Sequence, residues 1–211
     1  MCGRFVLLSN LSRIEDHFGL RDIPASFSRG NNVSPGEKIL AVRCHEGRRE
    51  AAVFRWGFVP SWMKEMPKGG GFINARAESI AFKATFREAF RKRRCLIVAD
   101  GFYEWQKLAN GSRKPWFFYL PSRVPFALAG LFETWVSPRG EAVSTCAIIT
   151  TQANELISPI HERMPVIIAP QYYDFWLGLE SGDWEGLADL LCPYPATEMM
   201  SRAEFPVLRI L

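Results

Sequence analysis

Phe102-Tyr103-Glu104-Trp105-Gln106, Ala109-Asn110-Gly111-Ser112 and Trp116-Phe117-Phe118-Tyr119-Leu120 together decide the fold. Two aromatic-rich runs of strand length flank an Asn-Gly turn, and Asn-Gly readily adopts the positive φ that a tight hairpin requires. Strand-like composition recurs on both sides of this hairpin. Arg4–Leu8, Ile39–Arg43, Ala52–Phe58, Cys95–Ala99, Phe126–Phe132 and Val143–Thr150 are short apolar runs. Helical patterns are fewer. Leu11–Phe18 follows the capping residues Ser9 and Asn10 and ends at Gly19, and Ser79–Phe90 places Ile80, Phe82, Phe86 and Phe90 near one face. Pro170–Leu177 and Trp184–Leu191 complete the set, while Asn31-Asn32-Val33-Ser34-Pro35-Gly36 reads as a turn-rich loop. The pattern predicts an α+β fold: a curved, mostly antiparallel, barrel-like sheet system flanked by helices, in a single domain over residues 1–211.

Composition narrows the class. With 48% hydrophobic and 23% charged residues the chain has enough apolar side chains for a sizeable core. No apolar run approaches the roughly 20 residues of a membrane span, and Arg4, Arg13, Glu15 and Asp16 interrupt any signal-like N-terminus. A cytoplasmic, monomeric protein is the expectation. Five cysteines, odd in number and without a Cys-x-x-Cys pair, suggest neither a disulfide framework nor a metal site, and no cofactor motif is present. Cys95 and Cys146 lie in apolar strands and read as inert core thiols. The net charge of +4 permits a polyanionic partner. Arg87, Arg91, Lys92, Arg93 and Arg94 concentrate part of that charge, either as a solvated helix end or as a phosphate-binding patch.

Cys2 stands out by position. Loss of Met1, the usual fate of an initiator before a small residue, leaves Cys2 with a thiol and an α-amine two carbons apart. With an amine near pKa ~7.7–8.0 and a thiol near ~8.5, both are partly nucleophilic at neutral pH. Such a pair can attack an acyl carbon, or condense with an aldehyde and close a thiazolidine. Three other segments carry matching chemistry. Glu104, between Tyr103 and Trp105, is a candidate proton-transfer carboxylate if it is desolvated; strand alternation alternatively points it to solvent. His161, in Ser158-Pro159-Ile160-His161-Glu162-Arg163-Met164-Pro165, is a loop histidine suited to acid–base work. His17 and His45 read as surface residues. Asn74 and Arg76 share one face of an extended segment and can hold a carbonyl oxygen and a phosphate respectively. Trp62, in a proline loop, can stack on a base or wedge a duplex end.

The order of these segments resembles the SOS response-associated peptidase family, which includes an abasic-site sensor. The resemblance runs through Met1-Cys2-Gly3-Arg4-Phe5, Asn32-Val33-Ser34-Pro35-Gly36, Trp56-Gly57, Ile73-Asn74-Ala75-Arg76-Ala77-Glu78, Ala99-Asp100-Gly101-Phe102-Tyr103-Glu104-Trp105 and His161-Glu162-Arg163-Met164-Pro165. It implies binding of single-stranded DNA and covalent capture of abasic sites, with associated autoproteolytic, peptidase and lyase-type chemistry. By that resemblance Cys2, Asn74, Glu104 and His161 are catalytic, and Arg4, Asn32, Trp62, Arg76 and Arg163 contact DNA. Cys2 would supply both nucleophiles and Glu104 would shuttle protons at its amine. His161 would open the sugar ring, and Arg76 and Arg163 would grip phosphates. The partner it implies is single-stranded DNA containing abasic sites, with the protein on the nucleoid when bound. One departure is the tail 199–211, which lacks the asparagine of the family's usual ending.

Three alternatives use the same residues. A thiol peptidase would employ Cys2, His161 and Glu104 on external proteins. An N-terminal nucleophile amidohydrolase would activate the Cys2 thiol with its own amine, although such domains favour an aliphatic residue where Arg4 stands. A non-covalent DNA-binding module leaves Glu104 and His161 without a task.

Overall fold

The chain opens with strand β1 (Phe5–Leu7) and turns into helix α1 (Leu11–Phe18). The computed structural model describes residues 2–180 and 184–203. Helix α1 is locally dictated: Asn10 Oδ1 accepts from the Arg13 N–H at 2.8 Å, Gly19 closes the helix in the left-handed region, and Ile14 and Phe18, four apart, fill the core. There follow β2 (Gly30–Val33), β3 (Lys38–His45), β4 (Arg48–Trp56), β5 (Asn74–Arg76), α2 (Ala77–Ile80) and α3 (Arg87–Lys92). The second half contains β6 (Arg94–Ala99), β7 (Gly101–Lys107), β8 (Arg113–Tyr119), β9 (Phe126–Val136), β10 (Ala142–Gln152), β11 (Arg163–Pro165) and β12 (Ile167–Ile168). A 3₁₀ turn at Pro170–Tyr172 leads into α4 (Tyr173–Leu177); α5 (Trp184–Asp189) and β13 (Met200–Arg202) end the described chain.

Two sheets result. One has the order β13-β8-β7-β1-β2, with the predicted hairpin β7–β8 pairing Phe102 with Phe118 and Glu104 with Trp116. In the other, β10, β4, β3, β6 and β9 follow one another and β9 pairs again with β10, so the five strands close into a barrel. All pairings in the barrel are antiparallel except β10–β4. Closure removes exposed strand edges, and Phe54, Cys95, Ile97 and Cys146 are buried on its strands. Burial raises the Cys95 and Cys146 thiols above their ordinary range, as suits inert core cysteines. Beyond the barrel, β10 carries two further partners: β5 runs parallel to it and β11 antiparallel. The architecture is the α+β, barrel-like sheet system read from the sequence.

Several local expectations change. Ser79–Phe90 is two short helices separated by a turn, not one helix. Positions 80 and 82 lie about 200° apart on an α-helix, so one helix could not bury both; the structure buries Ile80, Phe86 and Phe90 and leaves Phe82 81% exposed. Asn31–Val33 is strand rather than loop, because β2 pairs with β1. Strands β5, β11, β12 and β13 have only two or three residues each, too few for a two-residue period to register. The start of the tail is strand β13 on β8; residues 204–211 lie outside the described residues.

Candidate functional site

Antiparallel pairing of β1 with β7 brings the N-terminus to the central carboxylate. Phe5 faces Phe102, Val6 faces Gly101, and the Tyr103 N–H donates to the Arg4 carbonyl at 2.9 Å, a register that continues to Gly3 opposite Glu104. Asp100 anchors the far end of β1, accepting from the Ser9 N–H at 2.7 Å and the Ser9 hydroxyl at 2.6 Å. Glu104 does not point to solvent: it is 1% exposed, within the sheet that also buries Phe102 and Phe118. Burial pushes its carboxyl up to about 7, against the pull of the positive chain terminus. Cys2 is fully buried, and burial, reinforced by the Glu104 charge, holds its thiol above the ordinary range. At neutral pH that sulfur is a thiol, not a thiolate, and needs a base.

The second half of the site comes from the edge of the barrel sheet. Strand β5 lies along β10, with Asn74 opposite Ile148 and Arg76 opposite Thr150. Asn74 and Arg76 share a face because Ala75 between them is buried in the sheet. Asn74 Nδ2 donates to the Cys2 carbonyl at 3.0 Å. Its Oδ1 is buried and has no hydrogen-bond partner among the described residues, which leaves an acceptor open next to Cys2. On the other side of β10, β11 pairs Arg163 with Gln152, and His161 precedes it. The Arg163 N–H donates to His161 Nδ1 at 3.0 Å. The Arg163 carbonyl lies 3.3 Å from the same nitrogen, so Nδ1 meets a donor and an acceptor; the shorter contact, to the N–H, favours Nδ1 as acceptor and a neutral ring with its proton on Nε2. Burial first, then the chain terminus and the Arg163 charge, lower the His161 pKa against the Arg163 backbone hydrogen bond and the Glu162 charge, and so favour the neutral form.

The candidate DNA contacts divide into surface and scaffold. Arg76 is exposed, and with Gln152, Ala153, Ser158, Glu162 and Arg163 it lines a cleft of about 430 Å³. Arg4 is half-buried, its Nη1 donating to the Gly3 carbonyl at 2.9 Å. Asn32 is exposed on β2. Trp62 is 66% exposed on a loop stapled at its base. Phe58 and Phe72 exchange two backbone hydrogen bonds of 2.9 Å, Trp135 Nε1 donates to the Met63 carbonyl at 2.6 Å, and Gly57 passes Gly70 closely enough that a Cβ would meet the Gly70 oxygen at 2.2 Å. Arg163 departs from the phosphate-gripping expectation. It is 8% exposed, and its Nη atoms are already taken: Nη1 donates to Glu78 Oε1 at 2.6 Å, Nη2 to Glu78 Oε2 at 3.0 Å and to the Thr150 carbonyl at 2.5 Å. Arg93 and Arg94 of the basic run are half-buried and bonded within the protein, to Glu133 at 2.8 Å and to the Trp176 carbonyl at 2.5 Å. Glu78 and Thr150 escaped sequence reasoning because their roles depend on contacts with a residue 85 and 13 positions away.

His17, expected at the surface, is half-buried in α1 against the Tyr173 hydroxyl at 3.2 Å, whereas His45 is exposed on β3 as expected. Among the described residues no cluster of His, Cys, Asp and Glu is arranged to hold a metal ion, and no helix is long and apolar enough to cross a membrane.

Comparison with known proteins extends the likeness to nearly the whole chain. Abasic site processing protein YoaM of Bacillus subtilis (strain 168) is 41% identical over 204 residues, covering 94% of this chain and 88% of its own. Abasic site processing protein HMCES of Gallus gallus is 36% identical over 80% of this chain and 62% of its own length. Crystal structures of proteins from Bacteroides thetaiotaomicron and Bordetella bronchiseptica superpose with TM-scores of 0.85 and 0.83, at 25% and 27% identity. They cover 95% and 96% of this chain and 90% and 99% of their own. The family model described as SOS response associated peptidase (SRAP) matches residues 1–204. With that match spanning both sheets, the chain belongs to the SOS response-associated peptidase family.

Proposed function

We propose that this protein processes abasic sites in single-stranded DNA by capturing the ring-opened sugar aldehyde on Cys2. The observation that carries the reading is the convergence at Cys2 of an amide that holds its carbonyl, Asn74, and a buried carboxyl poised near neutrality, Glu104. The names of the relatives, abasic site processing proteins, support the choice of substrate.

The chemistry follows from the protonation states. Once Met1 is removed, Cys2 carries the terminal amine. A neutral His161 offers its Nε2 proton to the ring oxygen of the sugar hemiacetal, whose anomeric hydroxyl gives up its own proton as the aldehyde forms. The amine adds to the aldehyde carbon and water leaves, giving a Schiff base. The thiol then adds across the C=N bond, forming the C–S bond and transferring its proton to nitrogen, so the thiazolidine differs from the reactants by one water. Cys2 is held as a thiol at neutral pH, so a base must take its proton in transit. Glu104, near 7, is ionised in part and can accept and return that proton without a large penalty either way. Arg76 and Arg4 supply cations for flanking phosphates, Asn32 a polar contact, and Trp62 an aromatic face for a base. Peptidase and lyase activities reuse the same thiol, carboxyl and imidazole on an acyl group or on the strand 3′ to the sugar.

The test is intact mass of the full-length protein with and without an oligonucleotide bearing one abasic site. The reading predicts loss of Met1 and an adduct equal to the two masses less one water, absent in Cys2→Ala. An unreacted protein with Met1 verified as removed would sink it. Steep loss of binding to unmodified oligonucleotide with added salt separates the DNA reading from a peptidase acting on external proteins.

A further inference from the structure

The Asn74–Glu78 segment reaches both halves of the site, one end directly and the other through a buried guanidinium. We infer that Glu78 is a positioning residue for His161: by clamping Arg163 it fixes the backbone N–H that holds His161 Nδ1, and so fixes the proton on Nε2 and the direction that nitrogen faces.

Burying a guanidinium is costly unless every direction it points finds a partner. Arg163 meets that demand at its two Nη atoms, with a two-pronged pair to Glu78 at 2.6 and 3.0 Å and with Thr150, whose carbonyl lies 2.5 Å and hydroxyl 3.3 Å from Nη2, while its buried Nε has no hydrogen-bond partner among the described residues. Thr150 belongs to β10, and Glu78 to α2, which follows β5 without a break. Arg163 is therefore tied to two elements whose mutual register β5–β10 already sets. Its N–H, 3.0 Å from His161 Nδ1, inherits that rigidity. Four residues before Glu78, Asn74 holds the Cys2 carbonyl. One short segment thus sets the place of the nucleophile and, through Arg163, the tautomer of the imidazole. The planar fork of arginine suits this task, and a lysine could not bridge both carboxylate oxygens. The opposite role would be concealment, in which Glu78 masks a cation otherwise free to bind phosphate. The two roles predict opposite signs for DNA affinity.

Part of this inference rests on the proposed function, since one readout is adduct formation; the other readout does not. Full-length protein labelled with ¹⁵N-histidine has three imidazoles, and loss of one set in His161→Gln assigns the signals. The wild type should show His161 protonated at Nε2 and bare at Nδ1, whereas Glu78→Gln and Arg163→Lys should show a mixture of tautomers. Adduct formation in both variants should slow about 10- to 100-fold, the cost of a small misplacement of a reacting group. Affinity of Glu78→Gln for an unmodified single-stranded oligonucleotide should stay within about twofold of wild type. An unchanged tautomer, or affinity that rises several-fold in Glu78→Gln, would overturn the inference. Glu78→Gln keeps the shape of the side chain and one hydrogen bond, so it decides the matter if Glu78→Ala does not fold. If the wild type forms no adduct, the proposed function fails and the tautomer comparison alone decides the role of Glu78.

Discussion

The two sheets furnish the site by opposite means. The five-stranded sheet contributes Cys2 and Glu104, both almost wholly enclosed, and their surroundings act by desolvation: thiol and carboxyl are each pushed towards the neutral form. The edge of the barrel sheet contributes Asn74, Arg163 and His161, joined by hydrogen bonds to Cys2, Glu78 and Thr150. One region sets reactivity and the other sets geometry. Removing a group from the first should change rates and pH dependence. Removing Asn74 or Arg163 from the second should change orientation or affinity and leave the pH profile's shape; His161, which gives a proton itself, is the exception.

The largest effect belongs to the nucleophile. Cys2→Ala should abolish the covalent adduct on a denaturing gel while affinity for unmodified single-stranded DNA stays within about twofold. Next comes the base. Glu104→Gln should slow adduct formation by about 10² to 10⁴-fold, and the wild-type rate should rise with pH through about 7 and lose that rise in the variant. The same carboxyl leaves a mark on stability. Held at about 7 when folded, against an ordinary value of 4.5, it binds more protons in the folded than in the unfolded state between those pH values. Its contribution is therefore full below pH 4.5, declines as pH rises to about 7, and is flat above. Glu104→Gln should remove that decline and stabilise the protein at pH 8 by up to about 3 kcal/mol, read as a pH-dependent difference in denaturation midpoint. His161, whose pKa is lowered, slopes the other way, adding stability as pH rises through the window below 6.5. A Glu104→Gln variant whose midpoint tracks the wild type at every pH would show that the five-stranded sheet does not tune by desolvation.

How much of this division the sequence reveals depends on the reach of the contacts. Helix α1 and the β7–β8 hairpin are legible because cap, turn and period lie within a few residues of one another. The pairing of Asn74 with Arg76 is legible for the same reason. Glu104 is half legible: alternation allows either face, and only the β1–β7 and β7–β8 pairings decide that it is enclosed. Arg163 is misleading, since the family resemblance implies a phosphate contact for it. What it touches, Glu78, is brought to it by β5 lying on β10, a pairing of strands with only three residues on one side. Phe82 misleads in the same way, because its helix breaks where the core needs Phe86 instead.

Smaller effects lie at the surface proposed to face DNA. Trp62→Ala should weaken single-strand binding by about 1–3 kcal/mol, measured by fluorescence anisotropy, if the exposed indole stacks on a base. Arg76→Ala should weaken binding about equally for all sequences and lower the slope of log affinity against log salt by about 1, since it removes one exposed cation. Neither should alter the dependence of adduct rate on pH. A shift of that profile in either variant would mean that surface and buried groups are coupled, contrary to the separation drawn between the sheets.

The most direct test of the central claim, that Cys2 is the point of covalent capture, is peptide-level mass spectrometry of the protein after reaction with an abasic oligonucleotide. The account predicts an N-terminal peptide beginning at Cys2 that carries the sugar remnant on both nitrogen and sulfur, with Cys44, Cys95, Cys146 and Cys192 unmodified. A remnant on any other residue, or an N-terminal peptide that begins at Cys2 yet remains unmodified, would contradict it.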